Sequence, residues 1–194
     1  MPTLIKLIVG LGNPGTEHAQ TRHNAGFWFA DRLTQDFNCQ FSSDSKLHGE
    51  LARISSGGID CRLIKPSTFM NESGRAVQAV LDYYKIEVDE MLVAHDEIDL
   101  DSGIARLKKG GGHGGHNGLR DIINKTGSLD FMRLRIGVGH PGSRDSVTPH
   151  VLGIPGQEDK KLIDESLDNS LNVMSLVFKG ELEKAMQELH TDNK

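Results

Sequence analysis

Between Gly110 and Gly118 the chain reads Gly-Gly-Gly-His-Gly-Gly-His-Asn-Gly, six glycines and two histidines in nine residues. Neither a helix interior nor a strand interior is built from such a run, because glycine loses more conformational freedom on ordering than any other residue and brings no side chain to a core. The run is a backbone feature, placed where the main chain needs positive φ or where a ligand must approach it. The segments on either side have to supply the fold.

Those segments alternate in type. Leu4 to Val9 is rich in β-formers and reads as a strand buried on both faces that ends at Gly10. After a loop to Asn24, Phe27, Ala30, Leu33 and Phe37 recur at helical spacing, leaving Asp31, Arg32 and Gln35 outside. Leu47 to Ser55 and Ile59 to Ile64 flank Ser56-Gly57-Gly58 as a hairpin closed by Pro66. A second helix carries Val77, Val80, Leu81 and Tyr84. Strands follow at Met91 to Ala94, Ile104 to Leu107 and Met132 to Val138, with a short helix over Leu119 to Lys125 and a helical tail from Glu158 that breaks near Gly180. This alternation predicts one α/β domain over residues 1–194, a mixed twisted sheet with helices on both faces in three layers. Ligands of such sheets bind beyond the carboxyl ends of the strands. Four polar loops are expected there: Asn13 to Asn24, Ser67 to Asn71, His95 to Asp99, and the glycine run.

Composition removes several function classes. Two cysteines, Cys39 and Cys61, cannot make a thiolate metal cage and suit a reducing compartment. No signal-like or membrane-spanning apolar run is visible, so a soluble cytoplasmic protein with no membrane contact is expected. The net charge of −5 argues against a general nucleic-acid coat. The charge is uneven, however: Arg106 to Arg144 holds eight lysines and arginines against two acids, Asp121 and Asp130. That zone is either a local polyanion contact or a solvated charged face.

The motifs are weighed against their chemistry. Gly10-Leu11-Gly12-Asn13-Pro14-Gly15 fits G-x-G-x-x-G after a strand, but Pro14 removes an N–H where a dinucleotide site needs one at a helix start. The glycine run lacks the Gly-Lys-Ser/Thr ending of a nucleotide-hydrolysing loop. His95, Asp96, Asp99, His113, His116 and His140 are metal-ligand types, yet no spacing fixes two of them on one rigid element. No G-x-S-x-G elbow is present. Acid–base chemistry remains, with His23 as the base and Asp96 holding its other ring nitrogen. The plainer reading has His23 capping the next helix. Asn13, Asn71 and Asn117 stand in three of the four loops, and amides that donate and accept together suit a peptide backbone.

The motifs VGLGNPG (Val9 to Gly15), TRHNAG (Thr21 to Gly26), TFMNESG (Thr68 to Gly74), AHDEID (Ala94 to Asp99), the glycine run and RLRIGVGHPG (Arg133 to Gly142) stand in order. With them the chain resembles the bacterial peptidyl-tRNA hydrolases over essentially its whole length. The resemblance implies an esterase that cuts the bond between a peptide and the terminal ribose of tRNA, recycling dropped peptidyl-tRNA. It implies a monomer without metal or organic cofactor. By position, His23 would activate water, Asp96 would orient and polarise it, and Asn13 would act with Asn71 at the reacting carbonyl. Asn117 would hold the peptide main chain, and Met70 and His116 would line the cleft. Lys108 and Arg135 would clamp the 5′-phosphate of tRNA, supported by Arg106, Lys109 and Arg133. His18 stands where many members carry a tyrosine, and Arg106 where a lysine is common. Two other readings stay open on the residues alone: a non-catalytic RNA-binding module on the same fold, and a metal-dependent hydrolase.

Overall fold

A computed structural model describes residues 2–192. Its frame is a seven-stranded mixed sheet in the order β2-β3-β4-β1-β5-β7-β6. The strands are β1 (Leu7–Gly10), β2 (Ser42–Asp44), β3 (Gly49–Ser56), β4 (Ile59–Pro66), β5 (Met91–Glu97), β6 (Ala105–Lys109) and β7 (Met132–Gly137). β4, β1, β5 and β7 run parallel. β2, β3 and β6 are antiparallel to their neighbours. Every residue of β1 is buried, as its unbroken apolar run requires of a central strand covered on both faces.

Helices cover both faces. On one side lie α1 (Ala25–Asp36), α5 (Gln157–Asn172), α6 (Met174–Phe178) and α7 (Leu182–Asp192), around a core that includes Phe29, Leu33, Leu134 and Leu167. On the other lie α2 (Ser73–Tyr84) and α3 (Asn117–Thr126), over Val77, Leu81, Val93 and Ile122. One further short helix, α4 (Val147–Val151), follows β7. The α/β class, the mixed sheet and the three layers expected from the sequence are present.

Three local expectations change. The first strand begins at Leu7, and Leu4 is exposed. The hairpin has a third strand, β2, outside it. β5 runs three residues beyond Ala94, so His95 and Asp96 belong to the strand and not to a polar loop. Both are buried, which hydropathy could not foresee for a His-Asp pair.

A fourth change concerns the glycine run. Lys109, the last residue of β6, pairs with Met132, the first of β7, so the run starts at the edge of the sheet opposite to the carboxyl ends of the parallel strands. It returns along the sheet toward that end. Its second half, Gly114 to Asn117, arrives at the cleft that holds Asp96, with His116 in contact with the carboxylate.

Candidate active site

Gly26 explains how His23 reaches Asp96. A Cβ on Gly26 would stand 2.3 Å from the Ala94 carbonyl oxygen and 2.5 Å from the Leu11 nitrogen. Only glycine lets the first turn of α1 press onto the ends of β1 and β5 this closely. His23, in the 3-10 turn Arg22–Asn24 just before α1, is thereby set over the end of β5. Gly118 does the same from the other face: a Cβ there would lie 2.6 Å from the Met70 sulfur. The N-terminus of α3 thus seats on the buried Met70 and presents His116.

The two imidazoles meet on one carboxylate. His23 Nδ1 lies 2.9 Å from both Asp96 oxygens, and His116 Nε2 lies 2.8 Å from Oδ1. The tautomers follow from the partners. His116 Nδ1 accepts the Gly118 and Leu119 backbone N–H groups at 3.1 and 3.4 Å, so its ring proton sits on Nε2 and is donated to Asp96. An ionised carboxylate only accepts, so His23 donates through Nδ1. Its Nε2 lone pair is left free on the cleft side. His23, Asp96 and His116 line a cleft of about 510 Å³ together with Asn117, Arg120 and Val151.

Electrostatics reinforce the geometry. Burial opposes a charge on Asp96, but the electrostatic attraction of the His23 and His116 rings and the hydrogen bonds they donate outweigh it and hold the carboxyl well below the usual carboxylate range. Burial also disfavours the imidazolium of His23, yet the Asp96 charge and hydrogen bond prevail and raise its pKa above the ordinary value. His95, fully desolvated and facing the His116 ring, is pushed down to about 4 and stays neutral.

These three side chains also have the composition of a metal site, with one ligand atom from each lying within 4.8 Å of the others. The hydrogen bonds oppose that use. With Nδ1 occupied by the backbone, His116 could offer Nε2 to a cation only as an imidazolate.

The amides divide. Asn13 is 7% exposed and its Oδ1 accepts the Met70 N–H at 2.7 Å, which turns its Nδ2 into the available donor. Its main chain is bracketed by Asn24, whose Oδ1 accepts the Asn13 N–H at 2.9 Å and whose Nδ2 donates to the Asn13 carbonyl at 3.0 Å. Asn117 is exposed on the cleft, accepting from Arg120 at 3.2 Å. Asn71 is exposed in the 3-10 turn Met70–Glu72, and neither it nor Asn13 lines the cleft that holds His23.

The cations divide too. Side chains alternate along a strand, so Arg106 and Lys108 of β6 share a face with Arg133 and Arg135 of β7, paired Arg106↔Arg135 and Lys108↔Arg133. Lys109 falls on the opposite side and pairs with Asp130 at 3.7 Å. Arg135 is half-buried and pairs with Glu97 at 2.8 Å. Lys108 is exposed. Arg133 departs from the expectation of a supporting surface charge: it is 3% exposed, stacks over Phe131 and donates to the carbonyls of Gly111 and Gly112.

Sequence reasoning missed Asn24, although it stands beside His23 in the same motif, and noted His95 only as a metal-ligand type, whereas its Nδ1 donates to the Asp96 carbonyl at 2.8 Å. His18 sets its ring edge-on to the exposed Phe69, with centroids 6.4 Å apart. The G-x-G-x-x-G segment opens no helix before the 3-10 turn at Arg22, and its first two glycines pack against α1: a Cβ on Gly10 would lie 2.5 Å from the Gly26 oxygen and one on Gly12 2.6 Å from the Phe27 ring.

Comparison with known proteins follows the same frame. A family model described as peptidyl-tRNA hydrolase matches residues 7–194. Among curated proteins, the peptidyl-tRNA hydrolase of Pectobacterium atrosepticum is 54% identical, with 96% of each chain covered. That of Xanthomonas axonopodis pv. citri is 52% identical, covering 99% of this chain and all of the other. The crystal structure of peptidyl-tRNA hydrolase from Acinetobacter baumannii superposes with a TM-score of 0.95 at 46% identity, over 98% of this chain and 96% of that one.

Proposed function

The chain belongs to the peptidyl-tRNA hydrolase family and hydrolyses peptidyl-tRNA, and from that premise we propose that His23 is the general base that activates the attacking water. The supporting observation is the hydrogen-bonded chain His23, Asp96, His116, which leaves His23 Nε2 as a free acceptor on the cleft.

In the step this implies, His23 Nε2 takes a proton as the water oxygen bonds to the ester carbonyl carbon. The carbonyl π pair moves onto its oxygen, and the Asn13 Nδ2–H donates to that oxyanion. On collapse the ester C–O bond to ribose breaks and the His23 proton passes to the departing oxygen. The products are a tRNA with a free ribose hydroxyl and a peptide carboxylic acid, which loses its proton to solvent and leaves as the carboxylate. Asp96 stays ionised throughout and stabilises the transient imidazolium, while His116 holds the carboxylate in register. An ester needs no covalent nucleophile here, because a positioned base contributes about 10²- to 10⁴-fold and orientation adds to it.

Asn71 assists at the carbonyl, Asn117 grips the peptide main chain, and Met70 and His116 shape the cleft. Lys108 and Arg135 clamp the 5′-phosphate at the acceptor end with Arg106 adding to the field, while Lys109, on the other face and paired with Asp130, contributes little. Phosphate contacts position without reading sequence. No helix among the described residues is long and apolar enough to cross a membrane. The same reading has the enzyme acting as a monomer in the cytoplasm, where its substrate arises.

The test compares N-acetyl-aminoacyl-tRNA with free aminoacyl-tRNA, for wild type and His23→Ala. Cleavage of the blocked substrate by wild type and its loss in the variant are expected; full activity in the variant overturns the role of His23.

A further inference from the structure

Arg133 is a charged side chain placed where charge is costly. It is 3% exposed, its Nε has no hydrogen-bond partner, and its guanidinium lies over the Phe131 ring at 4.5 Å. A cation so placed must be compensated, and it is compensated by the Gly111 and Gly112 carbonyls.

The orientation of those carbonyls determines what lies on the other side. In a trans peptide the C=O of one residue and the N–H of the next point in opposite directions, and the chain has no cis peptide bond among the described residues. With the Gly111 and Gly112 carbonyls turned inward, the N–H groups of Gly112 and His113 face away from the guanidinium, where Gly112 is exposed. Neither donates a hydrogen bond within the described residues. The Lys108 ammonium lies against the same stretch, where a Cβ on Gly111 would come within 2.9 Å of its Nζ.

We propose that Arg133 is a positioning residue for phosphate recognition: it rivets the glycine run from below so that the Gly112 and His113 amides, beside Lys108, form a neutral donor pair for a tRNA phosphate. Adjacent outward amides make such an anion-binding concavity without adding charge. This rests on the reading that the β6–β7 face binds tRNA phosphate. It recasts Arg133, expected as a supporting charge beside the Lys108 and Arg135 clamp, as a residue that acts through the glycine run.

The distinction is measurable. A side chain that ligates phosphate releases counterions, so its loss lowers the salt slope of binding by about 0.7 to 0.9 per contact. A positioning residue buried under the loop weakens binding without that change. In Arg133→Gln, KM for N-acetyl-aminoacyl-tRNA rises about tenfold, the order of one charge-assisted contact, and the salt slope stays at the wild-type value although a charge has been removed. Lys108→Ala is the reference that lowers the slope. An Arg133→Gln slope reduced like that of Lys108→Ala, or an unchanged KM, overturns the proposal.

Because the variant could misfold, a second measurement uses the wild-type protein. Amide signals of Gly112 and His113 are followed by NMR while an acceptor-stem minihelix is added with or without its 5′-phosphate. Shifts with the phosphorylated RNA alone support the donor pair and assign it the terminal monoester; shifts with both support it and assign a backbone diester. Shifts with neither overturn it. A wild-type salt slope in Lys108→Ala counts against the phosphate clamp itself and leaves the amide result to be judged separately.

Discussion

The end of β5 and the face of β6–β7 solve opposite problems within one sheet. At the end of β5 the ionisable groups are withdrawn from water and each is satisfied by another: Asp96 is 3% exposed and His23 8%. On β6–β7 the charges are of one sign and only partly paired, with Lys108 and Lys109 exposed, Arg106 and Arg135 half-buried, and Arg133 buried beneath the glycine run. Low dielectric strengthens the first set and fixes its tautomers. Solvent access lets the second set exchange counterions for phosphate. Chemistry and recognition therefore respond to different variables, the one to pH and the other to salt.

Breaking the buried side has the largest effect. His23→Ala removes the only free ring nitrogen of the hydrogen-bonded chain, and kcat falls about 10²- to 10⁴-fold with a small change in KM. Asp96→Asn lets an amide donate to His23 Nδ1, which moves the ring proton to Nε2. Its kcat falls by a similar order, about 10³-fold or more, although the shape is retained. Single-turnover kinetics separates both losses from substrate binding. A variant of either kind that kept wild-type kcat would end the claim that the buried side carries the chemistry.

Breaking the exposed side is milder and of another kind. Lys108→Ala raises KM about tenfold with kcat nearly kept, and lowers the dependence of log affinity on log salt by about 0.7 to 0.9. A titration at several ionic strengths reads this directly. A matching loss of slope in His23→Ala would erase the contrast between the regions.

The pH profile sharpens the comparison further. His23 serves as base only when neutral, and its pKa is raised, so kcat falls on the acid side from a pH above the ordinary imidazole value of about 6.5. The salt slope of binding should not follow that limb. The smallest effect is on stability. The raised His23 pKa contributes stability that is complete below the unfolded value and fades as pH rises through the folded one. The lowered Asp96 pKa contributes above the unfolded carboxylate value and fades as pH falls toward the folded one. Melting temperature against pH, for wild type and His23→Gln, shows the first as a difference that shrinks on the alkaline side.

Much of this was legible in the chain because it depends on local pattern. The buried run of β1, the helical stripe of α1 and the two-glycine hairpin turn follow from period and turn chemistry. His23 and Asp96 stood out as residue types with a chemistry. Other features were hidden because they depend on contact. His95 and Asp96 read as a polar loop, since a buried charge looks the same in sequence as a solvated one. Arg133 read as a surface charge for the same reason. The glycine run was expected wholly at the carboxyl ends of the strands, yet it starts at the opposite edge and only its second half reaches them, because strand direction in β6 is set by its pairing with β7 and not by its own residues.

By itself, then, the sequence determined an α/β chain with a basic zone, a base, an acid, three amides and a segment with no core-forming side chains. Tertiary structure alone decided which of these share a hydrogen bond. Gly26 and Gly118 bring two helices from opposite faces onto one carboxylate. The backbone of α3 assigns the proton on His116, and Arg133 turns the glycine run carbonyl-side inward. Such outcomes are long-range because desolvation and hydrogen-bond direction are properties of neighbours in space, and adjacent residues in the chain do not record them.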